Sequence, residues 1–416
     1  MLRLMQARRL FALLAGSLSV LVAVLSPGLH ASGRAVFASR GASCSWQPIS
    51  SPVVTGGRLS AVAADSPSDA WAVGEAGPWQ GGDDWPAKPA PLVAHWDGNA
   101  WSSVPANLPR GSLDGVAIVS PSDVWAVGTY PGASSDNWPA AYNTYGRDSL
   151  IEHWDGRSWK RVASPRGEPL KAVAAAGPRD VWAVGSVYDD GTGKGSGWIL
   201  HWNGGKWKRV LATSKLLRDI TVVSPTDVWA VGDVAMHWNG RVWTVLPLPR
   251  KVGASSGPPS LAAVSARSAS DAWVAGIADL GPGDGSTFGG QTVLLHWTGR
   301  RWINRSPALR DSRAALSSLV LQPSGDVWLT GVDEDSWVLG PGGGASIVHA
   351  RVDSRAWRDA WAQNAAFQRI EQLAPESATT LWAVGYQGVG DAGPMLPSGG
   401  YPAYSHTEPV ILHYSC

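Results

Sequence analysis

Residues 123–128 read DVWAVG, and the same pattern stands at 69 (DAWAVG), 180 and 227 (DVWAVG), 271 (DAWVAG), 326 (DVWLTG) and 380 (TLWAVG). The seven copies place tryptophans at Trp71, Trp125, Trp182, Trp229, Trp273, Trp328 and Trp382. A second pattern follows each copy: HWDGNAW from 95, HWDGRSW from 153, HWNGGKW from 201, HWNGRVW from 237 and HWTGRRW from 296. Its sixth copy decays to RVDSRAW from 351, and its seventh begins HYSC at 413. A third run precedes each DxW, centred on Val62, Val116, Val173, Ile220, Val264, Leu319 and Ile370. Self-similarity at roughly 45–57 residues marks one supersecondary unit used repeatedly.

Each unit reads as four strands. The small-residue run is strand A, DVWAVG is strand B, the stretch ending in HW is strand C, and the last Trp opens strand D. Asp-Gly and Asn-Gly between HW and that Trp signal a hairpin, and the SPSD and SPTD stretches carry turn chemistry between A and B. The expected fold is all-β: a seven-bladed β-propeller of four-stranded antiparallel blades. An open solenoid is the alternative. The ends of the repeat decide between them, because the seventh unit lacks strand D while CSWQPIS at 44–50 supplies one, with Trp46 as its tryptophan. The last blade is thus expected to be closed by the N-terminal strand. Cys44 and Cys416 meet at its C–D turn, which predicts a Cys44–Cys416 disulfide.

The 416 residues are 44% hydrophobic, with 49 Gly, 30 Pro and 25 Trp against 4 Phe, as a turn-rich Trp repeat requires. A formal charge of +1 argues against a nucleic-acid partner. Arg3, Arg8 and Arg9 precede an apolar run from Leu10 to Leu25, broken by Pro27 and Gly28, with small residues at Ala31, Ser32 and Gly33. This pattern reads as a signal peptide and short leader over 1–35, with the propeller over 36–416. An uncleaved anchor is the other reading. The expected product is a secreted or cell-envelope monomer with no membrane span after cleavage. Two cysteines suit that oxidising compartment.

What recurs in every unit holds units together, since a reaction needs one site. His95, His153, His201, His237, His296 and His413 share one slot and are read as structural. Asp69, Asp123, Asp180, Asp227, Asp271 and Asp326, at the start of strand B, are read as turn carboxylates. Only His349 and His406 fall outside these slots and the leader, so no metal site and no cofactor is expected.

With WAVG, HWDG, the following Trp and Pro105 or Pro165 in that order, the repeat resembles the kelch group of propellers, most of all the kelch-like repeats of secreted bacterial propellers, over residues 44–416. Two departures are plain: one glycine ends strand B where kelch has two, and Trp replaces the usual tyrosine. The resemblance implies a galactose-oxidase-type propeller without its copper site, because both cysteines lie at the ring closure.

Non-repeated residues crowd three B–C loops: GPWQGGDDWPAKPAP from Gly77, YPGASSDNWPAAYNTYGRD from Tyr130, and the stretch from Tyr386 to Pro409. They belong to blades 1, 2 and 7, which are neighbours if the ring closes. They carry Trp79, Trp85, Trp138, Tyr142, Tyr145, Tyr401 and Tyr404, with Asp83, Asp84, Asp136 and Asn137. Aromatics beside carboxylates and amides suit sugar rings, whose faces stack and whose hydroxyls accept and donate hydrogen bonds. The same rings could equally pack the loops onto the rim. Arg58, Arg110, Arg166, Arg218, Arg250, Arg313 and Arg369, one before each strand A, raise an arginine-ringed mouth as a further reading. The function expected is a secreted, non-catalytic binding propeller for a glycan or an extracellular protein surface. The alternatives are a carbohydrate-active enzyme (a glycoside hydrolase or polysaccharide lyase) on the same face, which would need a unique carboxylate pair, and a structural envelope protein.

Overall fold

The computed structural model divides into two compact units, 1–42 and 43–416. It describes residues 44–415 except 53, 55, 78–88, 107–109, 132–146, 166, 168, 190–191, 254, 256, 280–289, 307–313, 334–344, 352–357, 363–367 and 390–405. At 131, 147, 279, 290, 314–315, 332–333, 345–351, 358–362, 368 and 406 it describes the backbone alone. The leader, residues 1–35, lies outside the described residues. Among those described, no helix is long and apolar enough to cross a membrane.

The described strands pair into seven four-stranded antiparallel sheets. In blade 1 they are Arg58–Ser66, Asp69–Ala76, Ala90–Trp96 and Trp101–Ser103, paired in chain order. The Asp-Gly hairpin is present, with a four-residue connection. Asp97 Oδ1 accepts the N–H groups of Asn99 and Ala100 at 2.8 and 3.0 Å, and Gly98 sits at φ +94°. Asp155, Asn203 and Asn239 repeat the device in blades 2 to 4.

The last sheet takes strands from both ends of the chain, in the order Ser45–Ile49, His406–Ser415, Leu381–Val389, Gln368–Pro375. Trp46 pairs with Tyr414 as Trp101 pairs with Trp96. The first strands of successive sheets touch one another in sequence, and Gln368–Pro375 touches Arg58–Ser66, so the cycle of sheets closes.

Tryptophans fill the gaps between sheets. Trp71 of blade 1 meets Trp154 and Trp159 of blade 2 at ring-centre distances of 5.1 and 5.3 Å. Trp125 meets Trp202 and Trp207, Trp182 meets Trp238 and Trp243, and Trp382 meets Trp96 and Trp101 in the same way. Trp328 meets Trp46 and Tyr414. Edge-to-face contact at these distances is the favoured geometry for rings of this size.

The histidine slot is structural in a specific way. Nε2 of His95, His153, His201, His237 and His296 lies 2.7–2.8 Å from Oδ1 of Asp69, Asp123, Asp180, Asp227 and Asp271. In blade 7, Glu376 takes the aspartate's part, 3.0 Å from His413. Each imidazole also lies against the strand B tryptophan of its own blade, at 4.1–4.6 Å.

Two sequence assignments need correcting. In blade 7 the residue matching Val62 is Leu373, opposite Ala383 as Val62 is opposite Ala72, while Ile370 matches Leu59. His349 is not a spare histidine: it stands opposite Trp328, as His95 stands opposite Trp71. The sixth HW motif is therefore His349–Ala350, two residues before the Arg351 that sequence alignment put there. A longer C–D connection in blade 6 hid the match.

Candidate functional site

The strand A segments align residue by residue. Opposite the strand B glycine stands a buried Leu or Ile: Leu59, Leu113, Leu217, Leu261, Leu316 and Ile370, matched in the sequence of blade 3 by the buried Leu170. The next residue does not repeat. It is Ser60, Asp114, Lys171, Arg218, Ala262, Ser317 and Glu371 in blades 1 to 7, and each is at least partly exposed. In six of the blades the ladder shifts register at this residue. Such a bulge re-aims one side chain without disturbing the pairs on either side. The glycine ending strand B makes room for it. A β-carbon on Gly74 or Gly385 would overlap the carbonyl oxygen of Arg58 or Arg369.

This level lies where strand A begins and strand B ends, at the bases of the B–C loops. Around blades 7, 1, 2 and 3 it is charged. Arg369 Nε lies 2.8 Å from Glu371 Oε1. The Arg58 guanidinium stacks on Tyr386, 4.7 Å from the ring centre, and Arg58 pairs in register with the buried Glu75. Lys171 Nζ stands 3.8 Å from Asp114 Oδ2. Burial pushes the Glu371 carboxyl up, against the opposing pull of Arg369 and Arg58, and burial likewise raises the Tyr386 phenol. Further round, Arg218 binds Asp233 at 3.0 Å. The arginine-ringed mouth thus takes a different form: Arg58, Arg218 and Arg369 are held by acidic or aromatic partners.

The loop bases are fastened to this level. The Gly56 N–H donates to the Thr407 carbonyl at 2.9 Å, and the Ser51 hydroxyl donates to that of Pro409 at 3.0 Å. The Gly111 N–H donates to the Pro89 carbonyl at 2.7 Å. The Ser149 hydroxyl donates to Pro165, and Asp148 accepts from Gly167. Each bond ties the residues flanking a long B–C loop to the D–A connection beside it.

Every aromatic and polar loop residue singled out from the sequence lies outside the described residues: Trp79, Asp83, Asp84 and Trp85; Asp136, Asn137, Trp138, Tyr142 and Tyr145; Tyr401 and Tyr404. The strands that flank these stretches in sequence are described, and they belong to adjacent sheets. Sequence reasoning missed Glu371, Asp114, Lys171 and Tyr386. The available signal was a strand A slot whose chemistry changes from repeat to repeat.

No protein-family model matches the chain, and no curated protein matches it in sequence. Solved structures do match it. "YCF48 bound to D1 peptide" is 14% identical, with a TM-score of 0.52, over 89% of this chain and 97% of that one. A GH74 xyloglucanase from Xanthomonas campestris is 12% identical, with a TM-score of 0.53. An extracellular domain assigned to a one component system of B. thetaiotaomicron is 10% identical, with a TM-score of 0.52. The chain covers 56% and 39% of the last two. The likeness is one of fold, the β-propeller.

Proposed function

We propose that this chain is a secreted, non-catalytic binding propeller that holds a glycan or an extracellular protein surface on the face carrying the B–C loops of blades 7, 1 and 2. In this reading the ring is a seven-bladed, kelch-like propeller. The observation that carries the proposal is the cluster of Arg58, Arg369, Glu371 and Tyr386 at that face, beside Asp114 and Lys171. Residues that recur in every blade are scaffold, so a level that departs from the repeat beside the three longest loops is where selection for a ligand would act. Export is supported by the N-terminal sequence, and it agrees with a propeller neighbour that is an extracellular domain.

The charges at this level stand in opposite-sign pairs, which suits recognition by hydrogen bonding. A glycan array with the purified chain, together with Trp85→Ala and Trp138→Ala, tests the reading. Binding that either substitution abolishes is the expected result. Hydrolysis or lyase cleavage on a polysaccharide panel would replace it with the enzyme.

A further inference from the structure

We propose that the mouth of the ring is a subsite for one uncharged sugar residue of a neutral glycan; the inference rests on the binding face proposed above and names its ligand class.

Charge balance is the first argument. Lys171, Arg218 and Arg369 lie 2.8–3.8 Å from Asp114, Asp233 and Glu371, and Arg58, over the Tyr386 ring, is the ladder partner of Glu75, so these cations and carboxylates balance. An anion would have to displace a carboxylate already set on its cation, and a cation would have to displace an arginine or lysine. Either exchange leaves a desolvated charge without its partner, a costly outcome. A hydroxyl group donates and accepts at once, so it can insert between such a pair and leave both ions satisfied.

The second argument is a gap of suitable size. Lys171 Nζ and Asp114 Oδ2 are 3.8 Å apart, too far for a hydrogen bond. Lys171 is exposed, and Asp114 is half-buried. A bridging hydroxyl between them would accept from the ammonium and donate to the carboxylate.

The third is room. Across the ring, the strand A residues described at this level in blades 5 and 6 are Ala262 and Ser317, and the Ser317 hydroxyl is committed to the Ile370 carbonyl at 3.0 Å. One arc of the mouth is polar and fixed, and the opposite arc is small. That asymmetry fits a ring with hydroxyls on its edge and C–H groups on its face.

The test is calorimetric titration of the full chain with cellohexaose, mannohexaose, maltohexaose and hexagalacturonate at low and high salt. At least one neutral hexasaccharide is expected to bind, with an affinity that salt changes by less than about twofold. Asp114→Asn should weaken it about tenfold by removing the charged acceptor. Ala262→Arg, which fills the open arc, should do the same while leaving the melting temperature in place. Binding confined to hexagalacturonate and weakened by salt would overturn the inference, as would a peptide or protein ligand with no affinity for any glycan. If Trp85→Ala and Trp138→Ala abolish neutral-glycan binding while Asp114→Asn and Ala262→Arg leave it unaltered, the mouth subsite fails and the loop-face reading stands.

Discussion

Glu152 occupies a slot that is apolar in the neighbouring repeats: the residue before the strand C histidine is Ala94, Leu200, Met236, Leu295 and Leu412 elsewhere. Its side chain is fully buried, and neither carboxylate oxygen has a hydrogen-bond partner. Arg161 is its register partner on strand D, but that guanidinium lies over the Tyr130 ring at 4.2 Å. Burial pushes the Glu152 pKa from 4.5 up to about 7, against a smaller pull from Arg161. Between those two values the folded protein holds a proton that the unfolded chain has released. Stability is therefore greatest below the unfolded pKa and is lost as pH rises through about 7, by roughly 3 kcal/mol. Glu152→Leu should raise the melting temperature at pH 8 and change it little at pH 5. Melts of both proteins across that range check this, and parallel curves would show Glu152 to be solvated. Asp219, raised to about 6 by burial, adds to the same trend. Its oxygens, however, accept the N–H groups of Ile220 and Val264, so the second contact stitches blade 4 to blade 5.

At the scale of the element, a blade is held by its own ladder and joined to the next by tryptophan. The recurring Asp–His–Trp contacts explain why those residues return in almost every copy. The carboxylate orients the imidazole, and the imidazole covers one face of the strand B indole while the next blade's tryptophans take the rest. Trp46 plays this part for the last joint, 94% buried against Trp328 and Tyr414. Trp46→Ala should cost about 3–5 kcal/mol, as deleting a large buried ring does. Chemical denaturation measures it, and a loss below about 1 kcal/mol would mean that the closing strand contributes little. The strands, their order and the joint tryptophans were all legible in the sequence, because period-two burial and turn residues act locally. The offset of His349 was not, since a longer connection shifts an alignment without changing any neighbouring residue.

At the scale of the molecule, the N-terminal strand closes the last blade, so no covalent C–D turn joins its third and fourth strands. Register places Ser45 opposite Ser415, and one further step along each strand reaches Cys44 and Cys416; Cys416 lies outside the described residues. A bridge there would stand in for the missing turn. Chain-entropy arguments put its contribution at up to ~6 kcal/mol for a loop this long. Mass spectrometry of the native protein should show no free thiol, and reductant or Cys44→Ser should lower the melting temperature by several degrees. Two free thiols would refute the bridge.

By itself the sequence determined the repeat, the four-strand unit, the pairing of both ends in one sheet and the scaffold role of the histidines. Each follows from residue type at fixed spacing, which a regular repeat states seven times over. Only the tertiary structure decided what stands at the mouth. In six blades a register shift in strand A sets one residue outside the ladder, and at that level Glu371, Arg369, Arg58, Tyr386, Asp114 and Lys171 come from four blades and both halves of the chain. A contact such as that of Arg58 with Tyr386, 328 positions apart, carries no local signature in a single sequence. The composition of 78–88, 132–146 and 390–405 raised the expectation of a binding face, and the described strands that flank them in sequence carry the charges on which the proposed ligand would rest.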